Sequence, residues 1–225
     1  MERIKLKEHW REYTEEQTRD FLRAGAEGKA HPSRSTAVRL LDGMTSVLDV
    51  GCGTGAMFEL LRERRPDLDY LGIDVTEQFI EEARRRFPAQ AERFRCFPLF
   101  ELESLPRRFD AVLCRHVLEH LPDYRPAVQL MYGRAKRKLI LVFYLPPRPL
   151  WIRRKRDERF EKGFYTHTYD LGQFVNHLLN DLSPPPIEVR IHPRQGTSDP
   201  SFRWGHYENI VYEVIRAEGA ATDSG

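Results

Sequence analysis

Little in this sequence stays apolar for long. The longest such run, LILVFYL at 139–145, is far shorter than the roughly 20 residues a membrane-spanning helix needs. The opening stretch MERIKLKEHWREY has no apolar centre of the kind a secretory signal requires. Cysteine is scarce: Cys52, Cys96 and Cys114 are odd in number and include no C-x-x-C pair. That count argues against a disulfide framework or a zinc cluster, and reduced thiols in a cytoplasmic protein are expected. Neither sign of charge prevails, because 36 basic residues meet 34 acidic ones for a formal +2. The chain therefore shows no global signature of a nucleic-acid or membrane-surface binder. What is present, 225 residues at 40% hydrophobic and 31% charged, is enough for one α/β domain with a full core.

The apolar pattern alternates between two periods. Residues 8–24 and 31–41 carry helical spacing, the first broken by Gly25 and Gly28 and the second opening on Pro32 and Ser33. Strand-like runs follow at 46–50, 69–74, 93–97, 109–114 and 138–145. Helical stretches lie between them at 56–64, 76–87 and from about Pro126 to Arg134. Thr76 is the expected cap of the 76–87 helix, with a capping-box glutamate close behind. Near-continuous Val, Ile and Leu in the strands suit a parallel sheet covered on both faces. After an arginine-rich stretch come a helix at about 170–180, a strand at 187–192 and a last strand at 208–217. The expected fold is a Rossmann-like, doubly wound, mostly parallel sheet of about seven strands, the last antiparallel. One domain spans 1–217, with an N-terminal helical lid over 8–41 and a disordered tail at 218–225.

The first strand runs straight into a glycine cluster, VLDVGCGTG at 47–55. Glycine allows unusual φ and keeps side chains out of a ligand's way at the carboxyl end of a strand, where such sheets bind ligands. The spacing is D-x-G-x-G-x-G, on Asp49, Gly51, Gly53 and Gly55, and not the G-x-G-x-x-G of a dinucleotide fold. Asp49 would repel a pyrophosphate and attract a cationic sulfonium or ammonium group. The second strand ends at Asp74, about twenty residues on, where a carboxylate can take two ribose hydroxyls.

VLDVGCGTG, LGIDV and FDAVLCRHVLEHL, in that order, resemble the class I S-adenosylmethionine-dependent methyltransferases over roughly 46–145. The resemblance implies S-adenosylmethionine as cofactor and methyl transfer to an O, N or C nucleophile. It places Asp49 and the backbone of Gly51, Cys52 and Gly53 at the methionine moiety, Asp74 at the ribose and Val75 beside the adenine. In ELESLP at 101–106, Glu101 would accept from the adenine amino group and the Leu102 N–H would donate to the ring. Arg115 would sit at the lip of the cofactor cleft.

His116-Val117-Leu118-Glu119-His120 matches the bare H-x-x-E-H pattern of a class of zinc proteases. Its place directly after a sheet strand, with Pro122 close behind, argues against that reading. Small-RNA 2′-O-methyltransferases and ubiquinone-pathway O-methyltransferases carry a similar Glu-x-x-Glu-His stretch that binds a divalent cation. Here His116 replaces the first Glu, which weakens a hard-cation site, and no metal is assigned. His116 is instead the candidate general base, since imidazole titrates near neutrality.

WIRRKRDERFEK at 151–162 packs Arg153, Arg154, Lys155, Arg156, Arg159 and Lys162 among acidic residues. It reads either as a solvated helix with internal ion pairs or as a substrate lid attracting an anionic group. Tyr165, His167 and Tyr169 follow as structural or cleft-lining residues, and Arg203, Trp204 and His206 lie in a loop that borders the substrate region. Tyr13 and residues His31 to Arg34 are candidate lid residues. A small-molecule acceptor, anionic if the arginines serve it, is expected first. RNA recognised through the arginine-rich insert is the alternative, and a non-catalytic cofactor-binding module is another. No membrane partner is expected.

Overall fold

The computed structural model describes residues 31–143, 151–155, 164–195 and 209–217, together with Glu16, Arg19 and Leu22. Helix α1 (Pro32–Leu40) leads into β1 (Ser46–Val50), α2 (Ala56–Arg64), β2 (Asp69–Asp74) and α3 (Glu77–Arg86). Then come β3 (Phe94–Cys96), β4 (Phe109–Arg115), α4 (Arg125–Arg134) and β5 (Ala135–Phe143). A hairpin of β6 (Trp151–Lys155) and β7 (Phe164–Thr168) precedes α5 (Leu171–Asn180), β8 (Glu188–Gln195) and β9 (Asn209–Ile215). Short 3-10 turns occupy 88–93, 99–104 and 118–120.

Seven strands form one sheet in the order β3-β2-β1-β4-β5-β9-β8. Strands β1 to β5 are parallel to one another, and β9 runs antiparallel to both β5 and β8. The expected doubly wound sheet with an antiparallel last strand is thus what the chain forms. Alternation within each strand divides the core. Leu48, Val50, Leu71, Ile73, Val112 and Leu139 join α4 and α5 on one face. Val47, Tyr70, Ala111, Leu113 and Ile140 join α1, α2 and α3 on the other. Because both faces are covered, the strands need apolar residues at successive positions, which is why β1 is buried throughout.

The helix starts are set locally. His31 caps α1, its ring nitrogen accepting from the Ser33 N–H at 3.2 Å. Asp170 caps α5 by accepting from the Gln173 N–H at 2.9 Å. Thr76 does occupy the cap position of α3, but its side chain makes no capping bond, so the expected capping box does not form.

The arginine-rich segment departs from the helical expectation. Trp151–Lys155 pairs antiparallel with Phe164–Thr168 as a separate two-stranded sheet. Arg153, Arg154 and Lys155 therefore lie on a strand, while Arg156, Arg159 and Lys162 fall outside the described residues. Also outside are most of the expected 8–24 helix, Tyr13, the loop with Arg203, Trp204 and His206, and the 218–225 tail. Among the described residues no helix is long and apolar enough to cross a membrane.

Candidate functional site

Register brings the candidate residues to one end of the sheet. Val50 pairs with Ile73 on one side and Cys114 on the other, so Asp74, the glycine cluster and Arg115 leave three adjacent strands together. Gly51, Gly53 and Gly55 all adopt positive φ, at 74°, 55° and 82°. A β-carbon costs about 1 kcal/mol or more per residue in that region, so the turn itself demands glycine. Two of the three also make room for the protein's own side chains. A Cβ on Gly51 would stand 2.2 Å from Val117 Cγ2, and one on Gly55 would stand 2.9 Å from the Phe87 ring.

The loop's donors are largely taken up by the protein. The N–H groups of Gly51 and Cys52 both go to the Ile73 carbonyl at 2.8 and 3.0 Å, and that of Gly55 goes to Cys52 O at 3.1 Å. The Gly53 N–H donates to Asp74 Oδ2 at 2.9 Å. Phosphate-binding loops work by directing such N–H groups outward at the anion. Here they are bonded inward, and the charges beside them are carboxylates. The loop suits a cation.

Asp49 is almost fully buried in β1 and accepts from the Tyr70 hydroxyl at 2.7 Å. Burial pushes its pKa up to about 6, against the lowering effect of that bond and of Arg115 and Arg34. Tyr70 reaches Asp49 because Gly72, the register partner of Asp49, has no side chain. A Cβ on Gly72 would lie 2.8 Å from the Tyr70 hydroxyl and 2.9 Å from Cys52 Sγ. Cys52 is buried, and its thiol is pushed well above its usual pKa by that burial, so it is an inert wall of the site.

Asp74 is half-buried. Its Oδ1 accepts from the Thr76 N–H at 2.9 Å, opposite the bond to Gly53. Burial raises its pKa. Val75 follows, half-buried, and its carbonyl accepts from Cys96 Sγ at 3.6 Å. The Phe97 N–H donates to the Asp74 carbonyl at 2.9 Å, so the segment leading to Glu101 starts beside Asp74. Glu101 is exposed on the 99–104 turn, whereas the Leu102 side chain is wholly buried in the core shared with α4 and α5. Leu102 as a whole residue is 0% exposed.

Arg115 ends β4 and His116 follows it. Burial first, then Arg115, Arg34 and His31, hold the His116 ring well below its usual pKa, leaving it neutral at pH 7. Arg34 is 7% exposed and influences both Asp49 and His116. In the sequence it is one of five lid candidates, and its burial and its effect on both groups make it a candidate for the site as well. The turn below is pinned by Tyr169, whose hydroxyl lies 2.6 Å from the carbonyls of both Leu118 and Leu121. Tyr169 is thus structural. Among the described residues no group of three or more His, Cys, Asp and Glu side chains is arranged to hold a metal ion.

A protein-family model described as a methyltransferase domain matches residues 48–138. The malonyl-[acyl-carrier protein] O-methyltransferase of Acetivibrio thermocellus is 34% identical over 97 residues, which is 43% of this chain and 34% of that protein. A ubiquinone biosynthesis O-methyltransferase of Neisseria meningitidis serogroup C is 40% identical over 82 residues, 34% of each chain. The chain spans about a third of the length of the curated relatives it matches. It shares its fold with solved structures. Magnesium protoporphyrin IX methyltransferase from Synechocystis PCC 6803 with bound SAM has a TM-score of 0.56 at 19% identity, covering 93% of this chain and 88% of that one. DesVI of Streptomyces venezuelae has a TM-score of 0.60 at 16% identity, covering 92% and 100%.

Proposed function

We propose that this chain, whose residues 48–138 match a methyltransferase-domain family model, transfers the methyl group of S-adenosylmethionine to an oxygen of a small-molecule acceptor. The observation that carries the reading is the acceptor-rich end of the sheet. Two carboxylates, Asp49 and Asp74, flank a loop whose N–H groups are already bonded inward. A cationic sulfur compound with a ribose diol fits that chemistry and a dinucleotide does not. Thr54 Oγ1, wholly buried in the same loop, has no hydrogen-bond partner in the structure, and a ligand at the loop would satisfy it.

Asp74 would hold the ribose hydroxyls while Gly53 and Thr76 fix its carboxylate. Asp49, with Tyr70 behind it, supplies negative charge on the methionine side, beside the backbone of Gly51, Cys52 and Gly53. Val75 would border the adenine, with Glu101 and the Leu102 backbone at its far edge, and Arg115 would stand at the lip. When bound, the cofactor supplies a methyl group already activated on a positively charged sulfur. The remaining task is alignment of the acceptor and removal of its proton. His116, neutral and partly accessible, takes that proton.

Oxygen is preferred because the relatives above are named O-methyltransferases. An anionic acceptor would use the basic strand β6, which carries Arg153, Arg154 and Lys155. The RNA alternative draws on the whole arginine-rich insert, and none of the relatives named here carries an RNA substrate in its name. The three cysteines are free thiols, which accords with a cytoplasmic setting. The test is transfer of labelled methyl from S-adenosylmethionine to a panel of small carboxylic acids and phenols, with RNA as a separate arm. Label on a small oxygen acceptor supports the proposal, and label on RNA alone refutes it.

A further inference from the structure

The turn after β4 holds a pairing that cofactor binding does not require. His116 has a φ of 56°, the one non-glycine residue with positive φ among those described. Its backbone N–H still donates to Val142 O at 3.0 Å, as though β4 continued. Both ring nitrogens have a partner. Nδ1 lies 3.3 Å from Glu119 Oε1, and Nε2 lies 3.4 Å from Arg115 Nη2.

A guanidinium carries only donors. Beside Arg115, His116 Nε2 is the acceptor and carries no proton. In a neutral ring the single proton then sits on Nδ1, where Glu119 Oε1 accepts it. An imidazolium would turn an Nε2–H against the Arg115 guanidinium, with Arg34 from α1 and His31 just ahead of α1 adding to the repulsion.

We propose that Glu119 is a positioning residue that locks His116 in the Nδ1–H tautomer and so presents Nε2 as the nitrogen that receives the acceptor's proton. The inference rests on the methyl-transfer reading for its purpose, though the tautomer itself does not. Exposure divides the pair as such a role requires: the Glu119 side chain is 2% exposed and the His116 side chain 18%. The carboxylate is sealed in while the ring is reachable. Tyr169 secures the turn between them from the side of α5. At 3.4 Å the Arg115 contact is at the long limit of a hydrogen bond, so an acceptor hydroxyl donating to Nε2 displaces a weak partner. As the new O–CH3 bond forms and the S–CH3 bond breaks, the hydroxyl proton passes to Nε2. The ring becomes an imidazolium paired with Glu119 and then returns its proton to water.

Nitrogen NMR of the full chain labelled with 15N-histidine tests this directly, with the His116 signals assigned by their loss in His116→Asn. At pH 7 the wild type should show a protonated Nδ1 and a bare Nε2 at His116. Glu119→Gln, which keeps an acceptor oxygen, should preserve that tautomer and lower the titration midpoint of the ring. Glu119→Leu, which leaves only the long Arg115 contact to keep Nε2 unprotonated, should raise the share of the Nε2–H form. An Nε2–H ring or an imidazolium in the wild type at pH 7 overturns the inference, as does an unchanged ratio in Glu119→Leu. If Glu119→Leu does not fold, the wild-type spectrum alone decides. A parallel titration with S-adenosylhomocysteine separates the two proposals. Absent binding with the Nδ1–H form present refutes the methyl-transfer reading alone. Binding with the Nε2–H form present refutes the role of Glu119 alone.

Discussion

Asp49→Asn isolates the energetic consequence of placing a carboxylate inside the sheet. Burial holds the Asp49 pKa at about 6 rather than the usual 3.8. A folded-state pKa above the unfolded one means stability is full below the unfolded value and is lost as pH rises through the folded value. The gap corresponds to about 3 kcal/mol once the group is fully ionised. About half of that is already lost at pH 5, so roughly 1.4 kcal/mol remains to be lost between pH 5 and pH 8. Asparagine keeps an acceptor for the Tyr70 hydroxyl but cannot ionise. Its melting temperature relative to wild type should therefore rise between pH 5 and pH 8, by about 3–6 °C for a domain of this size. Thermal unfolding of both proteins without ligand at a series of pH values is the assay. Using the change with pH, and not the difference at one pH, cancels effects of the substitution that do not depend on ionisation, and the attraction to Arg34 and Arg115 is already contained in the pKa of about 6. A difference that stays flat across that range, or that falls, would refute the assignment of a raised pKa to Asp49.

Other perturbations have equally definite outcomes. Gly51→Ala combines a positive-φ cost with a Cβ 2.2 Å from Val117 Cγ2 and should destabilise by about 2–4 kcal/mol in chemical denaturation. Adding Val117→Ala should recover the steric part and leave about 1 kcal/mol. Tyr169→Phe removes the hydroxyl between the Leu118 and Leu121 carbonyls; a loss of about 1–2 kcal/mol is expected, with faster amide exchange over 118–121. Lys138→Met leaves Glu213, which is 1% exposed and 2.8 Å from the Lys138 amine, with only the longer contacts to Arg190 and His192. It should cost about 3 kcal/mol, and less when combined with Glu213→Gln.

The fold was legible where punctuation and period agreed. The runs 46–50, 56–64 and 69–74 form their elements with the expected bounds, because Gly51 to Gly55, Pro66 and alternating apolar residues mark their ends. The hairpin of β6 and β7 was not legible. WIRRK has no apolar alternation to set against a helical reading, and its pairing with FYTHT depends on a partner nine or more residues away. The site divides in the same way. Asp74 and the glycine loop stand out by spacing alone. Tyr70, which fixes Asp49, could be reached only through the sheet register that sets Gly72 opposite Asp49. The glycines were read as clearing space for a ligand; at Gly51 and Gly55 the space is filled by Val117 and Phe87, contacts that come from β4's exit and from the end of α3. Glu119 stood out in the sequence only as part of the H-x-x-E-H pattern, and the two ring distances give it a role.

The pocket itself is tested most directly by calorimetric titration of the full chain with S-adenosylhomocysteine, alongside Asp74→Ala checked for folding by circular dichroism. The account predicts saturable one-to-one binding by the wild type and at least a tenfold weaker affinity in the folded variant. No binding by the wild type, or equal affinity in Asp74→Ala, would contradict it.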